Sequence, residues 1–328
     1  MGLNDYKETS YEIGKLNYNM PGNFEPLGTE NYTICKPTIL CLGGNFTFTP
    51  NHAKGMCTIA ADLLGIKEKS IDGQIATFDD VDVVGVSYGR CRYSENTSLS
   101  DSEINKLCNN TLLPMVTDRK GGRLPKEVAM KNASMLTLFT HCFGARMADE
   151  LMLELSSRMS EVGYDLQEIT DILSQITAVS YAPESDIHCG SHVKIRSFQD
   201  NIIPEWAISG PKGLRGIAIT EGQLGKDCTV WSSRMANGVK EDVGEHCVTT
   251  IYRNKQWQQE TKIKDKKLYL GKNADIMSQI TAMCLAEMVA TSVKNYHSNS
   301  FTPKPTIADL MLMGNDIIRG CKHRDLVM

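Results

Sequence analysis

Cys142 stands in Thr140-His-Cys-Phe-Gly144, between the apolar run Ser134–Thr140 and a segment with helical spacing from Ala145 to about Met159. A strand that passes into a helix through one residue holds that residue in a strained, exposed conformation. The positions two away on either side must then be small so that the backbones can approach. Gly144 meets that need and Thr140 meets it less comfortably. A thiol at the N-terminal end of a helix is a potential nucleophile, because the local dipole favours thiolate. The Phe143 N–H would stabilise an oxyanion, and Gly44, in Gly43-Gly44-Asn45, would bring a second backbone donor close to a ligand. A thiol nucleophile also needs a base and a group to orient that base. Asp200 lies in Ser197-Phe-Gln-Asp-Asn-Ile-Ile-Pro204 and His246 ends the polar stretch Gly244-Glu-His246, so the chain order is Cys142, Asp200, His246.

Other polar residues compete for these roles. Asp186 is the nearest rival to Asp200, and His188, His192 and His297 are rivals to His246. His141 reads as a flanking residue whose side chain points away from its neighbour at the apex. His188-Cys-Gly-Ser-His192 invites a metal reading, but no second ligand cluster accompanies it. Asp79-Asp80-Val-Asp82 reads as a solvated turn and Lys262-Ile-Lys-Asp-Lys-Lys267 as an exposed basic segment. Gly121-Gly122 is not followed by the Lys-Ser/Thr of a phosphate loop.

The elements that position these residues alternate. Pro37-Thr-Ile-Leu-Cys-Leu42 is an apolar strand ending at Gly43-Gly44. Residues 53–64 have helical spacing and stop at Gly65, and Val81–Ser87 is a second strand. After the strand, turn and helix around Cys142 come a helix near 166–175 and strands at Ile176–Tyr181, Val193–Phe198 and Cys228–Ser232, then a long amphipathic helix over 274–295. The implied class is α/β: a mostly parallel central sheet with helices on both faces. The short connection from Tyr181 to Val193 argues against a large cap insertion. Residues 1–36 form an N-terminal segment with room for edge strands, 37–300 one domain, and 301–328 a C-terminal helical appendage.

Composition removes several function classes. The 35 Lys and Arg against 39 Asp and Glu leave a formal charge of −4, which gives no reason to expect nucleic-acid binding. No run approaches the ~20 apolar residues of a membrane span. The first residues lack a basic region followed by an apolar core, so a cytoplasmic location is expected, with non-classical export left open. Eleven cysteines without a C-x-x-C pair fit a reducing compartment better than a disulfide scaffold or zinc ribbon.

Taken together, the turn at Cys142, the later Asp200 and the last His246 resemble the α/β-hydrolase superfamily. There the nucleophile elbow, the acid after a later strand and the final histidine occur in this order. The Gly43-Gly44 loop resembles its oxyanion loop, and the likeness covers about residues 37–295. Two departures stand out: cysteine replaces the commoner serine, and Thr140 stands where glycine is usual. The resemblance implies an acyl hydrolase for an ester, thioester, lactone or amide, small or macromolecular, working without cofactor or metal. Cys142 would be the nucleophile, His246 the base, Asp200 its orienting acid, and Phe143 and Gly44 the oxyanion donors. An acyltransferase, a cysteine protease and a binding protein on the same scaffold are the alternatives.

Overall fold

The computed structural model describes residues 11–17, 23–28, 32–44, 50–64, 70–71, 74–75, 80–88, 99–183, 185–197, 217–221 and 274–324. Their strands are β1 (Tyr11–Asn17), β2 (Asn23–Gly28), β3 (Thr38–Leu42), β4 (Ser70–Ile71), β5 (Gln74–Ile75), β6 (Asp82–Tyr88), β7 (Leu136–His141), β8 (Thr177–Tyr181), β9 (Ser191–Ser197) and β10 (Ile217–Glu221). Eight of them make one sheet in the order β10-β9-β8-β7-β3-β6-β1-β2, while β4 and β5 pair separately. The five strands from β9 to β6 run parallel. Antiparallel partners close both edges, β1 and β2 on one side and β10 on the other.

Helices α1 (Pro50–Leu64), α2 (Asp101–Leu107), α3 (Lys126–Ala133), α4 (Gly144–Glu161), α5 (Leu166–Leu173), α6 (Ala274–His297) and α7 (Ile307–Arg324) cover the sheet. Alternation along each strand sorts them into two layers. Leu40, Leu42, Val84, Leu136 and Leu138 pack with residues of α2 to α5. Ile39, Cys41, Val83, Phe139 and Val193 pack with α1, α6 and α7. All five residues of β3 are buried, as expected of a central parallel strand with helices on both sides. Truncating one such residue, Leu40→Ala, should cost about 2–5 kcal/mol. Among the described residues, no helix is long and apolar enough to cross a membrane.

Several differences from the sequence reading have simple causes. β7 runs one residue further than the apolar pattern, through His141, because that residue still pairs with Tyr181 of β8. Two helices, α2 and α3, were not anticipated between β6 and β7. They are short, and a π-helical turn and a 3-10 turn link Cys108 to Met115, so no long apolar period announces them. Strand β10 also went unrecognised. The strand expected at Cys228–Ser232 lies outside the described residues.

Asp82 corrects the solvated-turn reading of residues 79–82. Asp82 is buried at the start of β6, with Lys15 and Lys36 each 2.8 Å from Oδ1 and the Tyr32 hydroxyl donating to Oδ2 at 3.1 Å. Two ammonium groups and a hydroxyl compensate the burial of one carboxylate. Burial and the Asp82 charge push the Tyr32 pKa well up.

Candidate functional site

From β3 the chain turns one way, to β6; from β7 it turns the other way, to β8 and β9. A parallel sheet opens a crevice where such connections diverge, outside the carboxyl ends of the strands. Here those ends are Leu42, followed by Gly43-Gly44, and His141, followed by Cys142.

Cys142 has φ 52°, a left-handed value that a non-glycine residue adopts at a cost of order 1 kcal/mol or more. The turn is over-determined by its neighbours. Cys142 N–H donates to Tyr181 O at 3.4 Å, and its own carbonyl accepts from Ala145 at 3.2 Å to start α4. A Cβ on Gly144 would stand 2.0 Å from Leu42 O and 2.8 Å from Gly43 O, so only glycine lets α4 begin this close to β3. A second non-glycine residue of this kind, Ala182 with φ 47°, follows β8 beside the turn.

Thr140, in the place where glycine is usual, is fully buried on the face covered by α4. Its hydroxyl lies 2.6 Å from that of Ser180, and Ser180 Oγ lies 2.7 Å from His192 Nε2. Hydrogen bonds across the strands therefore accommodate the larger residue.

The turn is present, but the thiol is not held out in solvent: Cys142 is 6% exposed. Gly44 covers it. A Cβ built on Gly44 would lie 3.2 Å from Cys142 Cβ, 3.7 Å from its sulfur and 3.6 Å from His141 Nδ1. His141 thus does not point away, as its place beside the apex suggested; its imidazole and the thiol both lie close to Gly44. No sequence signal beyond that adjacency marks it. Phe143, at the entrance to α4, has an N–H that no described backbone carbonyl takes, while its carbonyl accepts from Arg146 and Met147. The Tyr88 hydroxyl donates to Gly43 O and holds the glycine loop in place.

Asp200 and His246 lie outside the described residues. Their rivals are described and are engaged elsewhere. Asp186 is buried in an ion pair with Lys194. His188 is exposed, with Nδ1 2.9 Å from Asp149 Oδ2. His192 is buried, accepts from Ile187 N–H on Nδ1 and meets Ser180 on Nε2. Burial, with the Lys194 and His188 charges, pulls its pKa down to about 3, so it is a neutral structural imidazole. His297 pairs with Asp80 at 3.3 Å, at the opposite end of the sheet from Cys142.

Cys57 is fully buried with its pKa raised by that burial, and burial pushes Cys108 and Cys284 up to about 12. Such thiols are poor nucleophiles.

A cavity of about 1030 Å³ lies at the amino ends of β8 and β9, lined in part by Gln175, Asp186, Ser191 and Lys304. It is remote from the thiol. Its polar groups bond mostly to the surrounding fold, Asp186 to Lys194, His188 to Asp149 and Lys304 to Leu136 O and Thr137 Oγ1, while Asp186 Oδ2 is buried without a hydrogen-bond partner among the described residues. The chain matches no protein-family model, and no curated protein matches it.

Proposed function

We propose that the chain is an acyl hydrolase working by covalent catalysis through Cys142, on a fold of the α/β-hydrolase kind. The observation that carries this reading is the left-handed turn that places Cys142 beside Gly44 at the switch point of a parallel sheet. In the reaction, the sulfur attacks an acyl carbon and an S–C bond forms. The oxygen of the tetrahedral intermediate rests on the N–H groups of Phe143 and Gly44. The C–O, C–S or C–N bond to the leaving group then breaks, and the leaving group takes the proton that the base received from the thiol. Water, deprotonated by the same base, cleaves the thioester and returns the free thiol. His246 is assigned as that base and Asp200 as the acid that orients it, on their order in the chain.

Acyl transfer is the second reading, favoured by the 6% exposure of Cys142. A covered thioester resists bulk water and survives until an alcohol or amine arrives. Product analysis with and without added alcohols and amines separates the two readings, because a transferase forms the new ester or amide in preference to free acid.

The primary test is alkylation by iodoacetamide followed by peptide mapping. Cys142 should react faster than the other cysteines, and His246→Ala should slow it. Uniform labelling of exposed cysteines, with Cys142 protected and turnover intact in Cys142→Ala, would overturn the proposal and leave a binding protein as the better description.

A further inference from the structure

Among the described residues two carboxylates are buried, Asp82 and Asp186, and they differ in how fully they are paired. At Asp82, two ammonium groups stand 2.8 Å from Oδ1 and the Tyr32 hydroxyl donates to Oδ2. Asp186 is 3% exposed and bonds through Oδ1 to Lys194, itself buried, but Oδ2 has no hydrogen-bond partner among the described residues. A buried acceptor left without a donor costs about 1–3 kcal/mol, and more when it is charged. Asp186 also forms part of the wall of the cavity of about 1030 Å³ at the amino ends of β8 and β9, which has room for a small organic molecule. The terminal torsion of an aspartate is soft, so a slight turn of the carboxylate presents Oδ2 to a guest.

The amine of Lys304, in the same wall, is turned to Leu136 O and Thr137 Oγ1 of β7. His188 adds a second acceptor. Its backbone N–H and its Nδ1 lie 2.7 and 2.9 Å from the two carboxylate oxygens of Asp149, so in the neutral ring Nδ1 carries the proton and Nε2 the lone pair. The wall is pinned as well: Ile187 N–H donates to His192 Nδ1 at 3.1 Å, and Ser191 Oγ donates to Ser174 O at 3.0 Å. Acceptors on a fixed wall suit a ligand made of donors, and a primary ammonium has three donors, a positive charge and no acceptor. Ile187, Pro305 and Ile307 give the cavity apolar surface for the rest of such a ligand. We propose that this cavity binds a small primary amine with an apolar body, its ammonium group donating to Asp186 Oδ2. The site is separate from Cys142 and independent of the chemistry assigned there.

The test is an NMR amide-shift titration of the full chain with phenethylamine, with phenethyl alcohol and phenylacetate as its neutral and anionic counterparts. Phenethylamine should bind with the millimolar Kd of so small a probe and shift the amide signals of Ile187 and Ser191. The alcohol should bind about 10-fold more weakly, the scale of one hydrogen bond to a charged group, and the anion more weakly still. Asp186→Asn combined with Lys194→Gln removes both charges together and leaves no lone buried ion. In that double variant amine affinity should fall about 10-fold while affinity for the alcohol holds. Ala308→Trp, at an exposed position of the cavity wall, should block the amine with Asp186 intact, and it carries the test if the double variant does not fold. Equal affinity for amine and alcohol, amine binding unchanged in either folded variant, or shifts confined to amides away from the cavity would overturn the proposal. So would the absence of amine binding to the wild-type chain.

Discussion

The two ends of the parallel sheet differ in what their residues do: the amino ends carry a hydrogen-bonded fastening and the carboxyl ends a left-handed turn at a cysteine. At the amino ends polar residues fasten the chain. Asn295 of α6 donates to Ser134 Oγ at 3.0 Å and to Thr302 O at 2.8 Å, and its Oδ1 accepts from Thr302 N–H at 2.7 Å. Ser292 donates to Ser134 O at 2.6 Å. Lys304, buried, donates to Leu136 O at 2.5 Å and Thr137 Oγ1 at 3.1 Å, strapping the segment before α7 beneath β7. At the carboxyl ends the chain is instead held in a left-handed turn, where the Cys142 thiol and the His141 imidazole both lie against Gly44. Buried polar groups that satisfy one another give rigidity.

This contrast can be broken or sharpened by substitution. The largest effect belongs to the carboxyl end: Cys142→Ala should reduce turnover ~10³-fold or more while leaving the melting temperature nearly unchanged. Loss of activity matched by loss of folding would erase the distinction. Next is Gly144→Ala, whose new methyl meets Leu42 O at 2.0 Å. Overpacking against backbone should cost about 3 kcal/mol in denaturant unfolding and disable the turn as well. At the amino end, Asn295→Ala should cost about 2–3 kcal/mol by leaving Ser134 and Thr302 short of partners, with the iodoacetamide reactivity of Cys142 retained.

The smaller effects are read from pH. Burial pulls the Lys304 pKa down to about 7 from its ordinary 10.5. Between those values the unfolded chain holds a proton that the folded chain lacks, so stability rises with pH through that window, by at most about 1.4 kcal/mol per unit. Lys304→Met should flatten the rise. His192 behaves in the same sense at lower pH. Its folded pKa of about 3 lies below 6.5, so stability declines as pH drops from 6.5 toward 3, and His192→Gln should remove that contribution. If either variant altered the alkylation rate of Cys142 at neutral pH, the two ends would not be independent.

Much of this organisation was legible in the residue string. The apolar run before Gly43, the strand, turn and helix around Cys142, and the stripe Met147, Leu151, Leu155 on α4 all carry periods set by local geometry. What was not legible depends on partners distant in the chain. Asp82 looked solvated because Lys15, Lys36 and Tyr32 are far from it in sequence. Lys304, between Pro303 and Pro305, gave no hint of burial, since lysine is ordinarily exposed. His141 was set aside because adjacent strand residues face opposite sides. That rule is sound for a regular strand, but the left-handed turn at Cys142 brings the next side chain back to the same glycine.

The sequence by itself determined the alternation of strand and helix, the small residue that the turn demands at position 144, and the choice of a thiol at its apex. These follow from steric preference and periodicity, which act over a few neighbouring residues. Only the tertiary structure decided that β3 and β7 lie side by side with their successors diverging, and that Gly44 lies against both the Cys142 thiol and the His141 imidazole. Those relations join residues about a hundred positions apart, and they are set by which apolar faces are buried together, a choice that no local pattern encodes.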